Sequence, residues 1–118
     1  MITNDLEKLG FSPEEINAYV SLLELGGGFV STVAKKASAH RVTTYNTLEN
    51  LTKKGMVKVS KKKGFRYYYP VNPQVILNQA EEQYKTAKEL VPELLNLQST
   101  YHVKPKIQFF EGIKEVSD

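Results

Sequence analysis

The chain has 118 residues, of which 41% are hydrophobic and 25% are charged, and it contains no cysteine. A chain of this length buries one modest core, and its composition excludes a transmembrane helix, a disulfide framework and a thiolate metal site. The first residues do not combine a basic region with an apolar core, so we expect a cytoplasmic protein without a secretory leader.

Two helices are predicted in the N-terminal part of the chain. The first covers about residues 3–9. The second has a strong start signal, because Ser12 can cap it, Pro13 suits its first position and Glu15 completes a capping box. Glycines 26–28 end this helix, and we interpret them as a flexible turn because they lack the strand and lysine of a phosphate-binding loop. The residues predicted to be buried are Ile16, Tyr19, Val20 and Leu23.

The next two helices are predicted to form a helix-turn-helix, which presents its second helix to the major groove of DNA. The shorter helix covers residues 32–37, with Ser31 as its expected N-terminal cap, and a turn of three or four residues follows. In the longer helix Thr44, Leu48 and Leu51 recur at steps of four and three and share one buried stripe. The opposite face is polar and is formed by Val42, Thr43, Asn46, Glu49, Asn50 and Lys53.

A basic hairpin is predicted after these helices. Its strands cover residues 57–61 and 65–69, where Val57 and Val59, and then Phe65, Tyr67 and Tyr69, alternate with their neighbours. One face should pack on the helices. Residues 61–64 form the tip, whose lysines can lie along a phosphate strand or probe the minor groove. Stacking of single-stranded nucleic acid on the tyrosines is an alternative, which a two-stranded ribbon supports poorly because it offers a small platform.

Charge is concentrated in the helix-turn-helix and the hairpin. Between Ser31 and Arg66 there are ten Lys or Arg residues and a single acid, Glu49, which gives a net charge of +9. The rest of the chain sums to −6, because the whole chain carries +3. Most charge runs are solvated faces, but this one falls on the two elements that a winged helix presents to DNA. We therefore interpret it as a phosphate-binding surface.

Candidate DNA-binding residues follow from this interpretation. Asn46 suits an adenine edge and Arg41 suits guanine or a phosphate, whereas Tyr45 and the hairpin lysines are expected to hold the backbone. The complete predicted set is Lys35, Lys36, His40, Arg41, Val42, Thr43, Tyr45, Asn46, Lys53, Lys61, Lys62, Lys63 and Arg66.

A long helix is predicted from Asn72 and Pro73 onward, with an apolar seam repeating at steps of three and four. Its length of about 29 residues corresponds to roughly 43 Å, which a domain of this size cannot cover, so we expect a coiled-coil homodimer. Pro92 predicts a kink or a restart near Val91. The residues predicted to mediate dimerisation are Leu77, Tyr84, Ala87, Val91, Leu94, Leu95 and Tyr101.

These features resemble the DNA-binding domain of TrmB-like transcriptional regulators, whose skeleton MarR-like regulators share. The resemblance covers most of residues 5–73 and implies a winged helix-turn-helix that binds double-stranded DNA, followed by a helical linker. The chain departs from the family pattern at Phe29, His40, Val42 and Thr43. The matching residues are Leu22-Leu-Glu-Leu-Gly26, Val33-Ala-Lys-Lys36, Arg41, Tyr45, Leu48, Leu51, Lys54-Gly-Met-Val57 and Arg66-Tyr-Tyr68.

Residues 104–116 resemble the opening of the effector domain that follows the linker in some TrmB-like regulators. We therefore interpret the chain as a fragment of a longer regulator, with an unknown effector; the sugar or metabolite sensing that the resemblance implies falls on no residue of this chain. The expected division is a winged helix-turn-helix DNA-binding domain at residues 1–71, a helical linker or dimerisation segment at 72–103, and the start of a truncated effector domain, or a tail, at 104–118.

We predict a mainly α protein with a small β-hairpin, a winged helix-turn-helix followed by a long dimerisation helix, that acts as a sequence-specific regulator on double-stranded DNA. The alternative is a winged-helix interaction or dimerisation module without specific DNA binding; such modules often lose the basic face, which this chain keeps. An enzyme is not expected. His40 and His102 lie in different elements without a second ligand at metal-site spacing, so we predict no catalytic residue, metal or cofactor.

Overall fold

The structure is a computed structural model that describes residues 1–101, so the segment at residues 104–118 lies outside the described residues. The chain divides into two compact units, one comprising Met1–Asn78 and the other beginning at Gln79. The elements of the described residues are α1 (Ile2–Lys8), α2 (Pro13–Leu25), β1 (Gly28–Phe29), α3 (Val30–Ala37), α4 (Arg41–Lys53), β2 (Val57–Lys62), β3 (Phe65–Pro70) and α5 (Gln74–Tyr101).

The predicted start of α2 is confirmed. The Glu15 amide donates to the Ser12 hydroxyl at 3.1 Å, and the Ser12 amide donates to the Glu15 carboxylate at 2.9 Å, which completes the capping box. The prediction for Leu23 is wrong, because Leu23 is 39% exposed whereas Leu22 is fully buried. The helices α3 and α4 both pack against α2, and Leu22, unlike Leu23, belongs to the buried core.

The glycine run is partly a strand rather than a flexible turn. Gly28 pairs with Tyr68 and Phe29 pairs with Tyr67, so β1 adds a third, antiparallel strand to the sheet in the order β1-β3-β2. Gly27 has a φ of 147°, and a Cβ at this position would lie 2.8 Å from the Tyr67 hydroxyl oxygen. The positive φ favours glycine here, and a Cβ would also have to displace the end of the Tyr67 side chain. The local pattern could not reveal this strand, because its partner lies about 40 residues away.

The helix-turn-helix forms as predicted, but α3 begins two residues earlier. The strand β1 leads directly into α3, so Phe29 occupies the N-cap position without a side-chain hydrogen bond, and Ser31 lies inside the helix. The prediction of Ser31 as the cap is therefore wrong. The turn to α4 consists of residues 38–40, and the predicted stripe of α4 is buried, together with Thr47.

The hairpin has a tip of two residues rather than four. Lys62 pairs with Phe65, so only Lys63 and Gly64 form the turn, and both have positive φ, of 52° and 80°. This is the signature of a type I′ turn, whose twist matches that of the strands. Tyr68, which pairs with Val59, is the fully buried residue of β3, whereas Phe65 is 70% exposed. The face of β3 that packs on the helices is thus the one that carries Tyr68, not the one that carries Phe65.

The core of the first unit lies between the helices and the sheet. Tyr68 anchors the sheet in this core, and Val75 and Ile76 from the start of α5 pack against it. The largest fully buried side chains are Tyr68, Leu22, Leu48, Leu51, Met56, Val33 and Val57.

The long helix is confirmed. With 28 residues, α5 is about 42 Å long. It is continuous across Pro92, so it does not restart near Val91, and the alternative of a kink there stays a prediction. The side chains from Glu81 to Tyr101 are all exposed, and so is Leu77, so every residue predicted to mediate dimerisation is exposed.

Candidate nucleic-acid interface

The turn before α4 is held by hydrogen bonds to two backbone carbonyls of α3. The Ala39 amide donates to the Ala34 carbonyl at 2.9 Å, and the Asn17 side chain donates to the Ala37 carbonyl at 2.8 Å. Ser38 adopts the left-handed conformation, with φ 54° and ψ 47°, which reverses the chain within three residues. The start of α4 is therefore fixed against both α2 and α3.

One face of α4 is buried, and most of the side chains on the other face are exposed. The buried face consists of Thr44, Thr47, Leu48 and Leu51. Val42 is 73% exposed and Tyr45 is 40% exposed. The other outward residues predicted to contact DNA are also exposed, namely Arg41, Thr43, Asn46 and Lys53.

The hairpin, which we call the wing (β2, β3 and their turn), carries its lysines on the outside. Lys58, Lys61, Lys62 and Lys63 are all exposed. The Lys62 ammonium lies 4.0 Å from the centroid of the Tyr67 ring, and the Tyr67 ring packs edge-on against Phe29, with centroids 5.1 Å apart. Lys62 is thus partly oriented by a cation–π contact, whereas Lys63 lies at the turn.

An open cleft joins the start of α4 to the wing. It has a volume of about 620 Å³, and Arg41, Lys63 and Arg66 bring three positive charges to its lining. The other lining residues are Phe29, Val30, Ser31, Gly64 and Phe65. The structure thus brings together predicted residues from the helix and from the wing, and it adds the exposed Phe65, which sequence reasoning did not include.

Arg66, however, already contacts a carboxylate of the protein. Its guanidinium donates to Glu49 Oε2 at 2.9 Å through Nη2 and to the Tyr68 hydroxyl at 3.0 Å through Nε. The Tyr68 hydroxyl in turn donates to the same Glu49 oxygen at 2.5 Å. We call these three residues the clamp, because they connect the wing to α4. Sequence reasoning missed it, although Glu49 stood out as the single acid of the basic stretch.

The clamp perturbs the titration of all three groups. The hydrogen bond from Tyr68, aided by Arg66, holds the pKa of Glu49 below its usual value in spite of partial burial. Burial and the Glu49 carboxylate raise the pKa of Tyr68 to about 12. The hydrogen bonds to Tyr68 and Glu49 raise the pKa of Arg66. At neutral pH the clamp therefore holds one negative and one positive charge.

Two other lysines of the basic stretch also have acidic neighbours. The Lys36 ammonium lies 3.6 Å from a Glu24 carboxylate oxygen, and both side chains are largely exposed. The Lys54 ammonium lies 2.8 Å from Glu15 Oε1, whose side chain is 9% exposed. Lys35 and His40, the remaining predicted residues, are exposed on α3 and at the N-cap of α4.

The described residues meet the requirements of neither a metal site nor a membrane span. Among residues 1–101, no group of three His, Cys, Asp or Glu side chains is arranged to hold a metal ion. Within the same residues, no helix combines the length and the apolar character needed to cross a membrane.

Helix, turn, helix and a two-stranded wing, in this order and packed on one core, define a winged helix-turn-helix protein. Comparison with known proteins identifies the family. Residues 6–74 match the family model of the sugar-specific transcriptional regulator TrmB. The chain belongs to the TrmB family, as the sequence resemblance predicted.

Individual relatives agree with this assignment. The sugar-sensing transcriptional regulator TrmBL1 of Pyrococcus furiosus is 33% identical over 81 residues, which cover 69% of this chain and 24% of the relative. The chain thus spans about a quarter of the length of that relative.

Two solved structures share the fold. A possible transcriptional regulator from Methanosarcina mazei superimposes with a TM-score of 0.65 at 16% identity, covering 80% of this chain and 86% of the other. The archaeal chromatin protein TrmBL2, whose structure is described as showing a novel mode of DNA binding, superimposes with a TM-score of 0.60 at 25% identity, covering 88% of this chain and 45% of the other. These similarities confirm the predicted fold class.

Proposed function

We propose that the chain is the part of a transcriptional regulator that binds double-stranded DNA in a sequence-specific manner. In this proposal α4 enters the major groove and the wing follows the backbone or the adjacent minor groove. The observation that carries the proposal is the exposed surface of α4 and the wing. It is strongly basic, and its single acid, Glu49, is neutralised within the protein by Arg66.

The candidate residues divide into two roles. On α4, Arg41, Val42, Thr43 and Asn46 read base edges, because they occupy the exposed face of its first two turns. The remaining candidates contact the phosphate backbone and position the helix: Lys35, Lys36, His40, Tyr45, Lys53, Lys61, Lys62 and Lys63. Arg66 lies between α4 and the wing, where its guanidinium bonds Glu49 and also lines the cleft.

Membership of a family of transcriptional regulators supports this role, as does the DNA binding described for TrmBL2. A protein that acts on chromosomal DNA would work in the cytoplasm of a prokaryotic cell, and we propose no catalytic activity for it. We also propose that residues 1–71 act as the DNA-binding domain and residues 72–103 as the linker.

The chain should act as a homodimer. One recognition helix reads only a few base pairs, whereas two that are related by a two-fold axis read half-sites about 10 bp apart. The apolar seam of α5 supplies a surface for this pairing: Val91 is 49% exposed and Leu94 is 51% exposed. The proposed contact residues are Leu77, Tyr84, Ala87, Val91, Leu94, Leu95 and Tyr101.

The salt dependence of DNA binding tests the proposal. If about four to six phosphates are neutralised per dimer, the logarithm of the association constant should fall against the logarithm of the salt concentration with a slope of roughly −4 to −5. A duplex obtained by selection from random sequences, and a scrambled duplex of the same length, should be titrated by fluorescence anisotropy at several salt concentrations. No binding at low salt, or a flat response to salt, would contradict the proposal and favour an interaction module.

A further inference from the structure

Glu49 lies on the α4 face that the proposed function turns toward DNA, and there it is the single acid. Its Oε2 atom accepts from the hydroxyl of Tyr68 and from the guanidinium of Arg66, at 2.5 and 2.9 Å. Both donors lie on β3, Tyr68 19 residues and Arg66 17 residues from Glu49 in sequence. The carboxylate therefore connects the recognition helix to the central strand of the sheet.

The two donors are held differently. Tyr68 is fully buried in the core and pairs with Val59 on one side and Gly28 on the other, so its hydroxyl has a fixed position. The Arg66 side chain is 43% exposed, and it is oriented by its two hydrogen bonds within the clamp. Arg66 pairs across the hairpin with Lys61, close to the turn at Lys63. The clamp thus acts on the part of the wing that carries the lysines.

We propose that Glu49 is a positioning residue that holds the wing against α4, so that the wing lysines and the base-reading face meet the same stretch of DNA. Arg66 belongs to this clamp and does not bind a DNA phosphate. The inference rests on the proposed DNA-binding function and deepens it. It explains why an acid occupies a surface that otherwise attracts phosphate.

If Glu49 positions the wing, replacing it should weaken DNA binding; if it is only a surface charge, replacing it should strengthen DNA binding. Removing an acid from a DNA-binding surface ordinarily strengthens binding, because it removes repulsion from the phosphates. If Glu49 positions the wing, Glu49→Gln weakens binding instead, because the wing lysines lose their fixed place. The sign of the effect therefore separates the two roles.

The experiment compares Glu49→Gln with Glu24→Gln on the selected duplex. Glu24 is the matched control, since it is also an acid beside a cation of the same domain, at 3.6 Å from Lys36, but it does not touch the wing. Glu49→Gln should lower the affinity about tenfold at 0.1 M salt and make the salt slope shallower by about 2, which corresponds to one lost phosphate contact in each protomer of the proposed dimer. Glu24→Gln should leave the affinity unchanged or raise it.

Two further variants identify the partners. Arg66→Gln should lower the affinity for the selected duplex as much as Glu49→Gln does. The variant that carries both substitutions should bind no more weakly than either single variant, because either substitution alone already breaks the clamp. Tyr68→Phe keeps the buried ring, loses the hydroxyl donor and should weaken binding in the same direction. If Arg66→Gln makes the slope shallower while Glu49→Gln does not, Arg66 is a phosphate contact and the proposal is overturned.

Hydrogen exchange of the free protein gives a readout without DNA. The amides of β2 and β3 should exchange faster in Glu49→Gln than in Glu24→Gln, while those of α2 remain protected as in the wild type. Unchanged exchange in the wing, or tighter DNA binding by Glu49→Gln, would overturn the clamp while leaving DNA binding intact. A wild-type chain that does not bind the duplex at any salt concentration would overturn the proposed function, and the positioning role with it.

Discussion

Ser38 occupies the left-handed region that closes α3, with the Ala39 amide bonded to the Ala34 carbonyl. The same closure recurs after α4, where Gly55 has a φ of 78° and the Met56 amide donates to the Leu51 carbonyl. These are Schellman closures, which favour glycine at the left-handed position because a Cβ is strained there. Ser38 therefore carries a backbone cost that Gly55 avoids.

Replacing Ser38 by Gly should stabilise the protein. Glycine removes the strain of the left-handed conformation in the folded state, and it also raises the conformational entropy of the unfolded state. The first contribution is the larger, so we expect the free energy of unfolding to rise by about 0.5–1 kcal/mol. The thermal midpoint should rise, as measured by circular dichroism. Ser38→Ala is the control, because it keeps the Cβ and should bring no such gain. A fall in the midpoint of Ser38→Gly would contradict the strain argument.

Asn46 and Lys63 represent the two proposed kinds of DNA contact. Asn46 is exposed on α4, where its amide can bond an adenine edge, whereas Lys63 lies at the turn of the wing. Asn46→Ala should reduce the preference for the selected duplex over its variants by about 1–3 kcal/mol at one base pair. Lys63→Ala should weaken binding to all duplexes alike. Competition titrations with cognate and scrambled duplexes measure both, and equal behaviour of the two variants would contradict the division of roles.

At the scale of elements, the pair of Glu15 and Lys54 connects the start of α2 to the end of α4. The Lys54 ammonium lies 2.8 Å from the carboxylate and 4.9 Å from the centroid of the Phe11 ring. Burial raises the pKa of Glu15, but the hydrogen bonds from Lys54 and from the Ser12 backbone outweigh it, so the pKa lies below its usual value. A lowered folded-state pKa means that the carboxylate stabilises the fold above the unfolded-state pKa, and that this contribution disappears as the pH falls through the folded-state pKa.

The stability of Glu15→Gln should therefore depend on pH differently from that of the wild type. At pH 7 the variant should be less stable by about 1 kcal/mol, a figure that allows for the solvent exposure of Lys54. The difference should shrink as the pH falls below the ordinary pKa of a glutamate, about 4.3, and through the lower folded-state pKa of Glu15. Urea denaturation at several pH values measures this, with Glu14→Gln, an exposed neighbour, as the control. A constant difference from pH 7 to pH 3 would contradict the electrostatic explanation.

At the scale of the whole molecule, the exposed seam of α5 governs the proposed assembly. Its apolar side chains have no protein contact that buries them within the described residues. Pairing with a second copy would bury the exposed half of Val91 and of Leu94, each contributing roughly 1 kcal/mol, about half of the value for full burial. The uninterrupted helix across Pro92 leaves the whole seam available for this contact.

Replacing Leu94 by Asp should dissociate the dimer. An unpaired carboxylate in the seam is costly to bury, so the variant should sediment as a monomer and lose affinity for the selected duplex, while its thermal unfolding remains cooperative. Asn96→Asp adds the same charge on the opposite side of α5 and should remain dimeric. Analytical ultracentrifugation at tens of micromolar decides the matter. A monomeric wild type, or a dimeric Leu94→Asp variant, would exclude this helix as the interface.

The interactions that the sequence determined by itself are short in range. The capping box of Ser12 and Glu15 spans three residues, and the buried stripe of α4 follows from a periodicity of 3.6. The length of α5 and the basic character of α4 and the wing were likewise readable, because they depend on neighbouring residues and on composition. The family resemblance added the order in which these elements are assembled.

The tertiary structure decided what depends on partners distant in sequence. Gly28 lies in a strand because it pairs with Tyr68 of β3. Tyr68 is buried because the sheet packs the face that carries it on the helices. Glu49 looked like a solvated charge on a polar face, yet it accepts hydrogen bonds from a tyrosine and an arginine of the wing. A carboxylate's role depends on which donors the fold brings within about 3 Å, and no local pattern around Glu49 contains them.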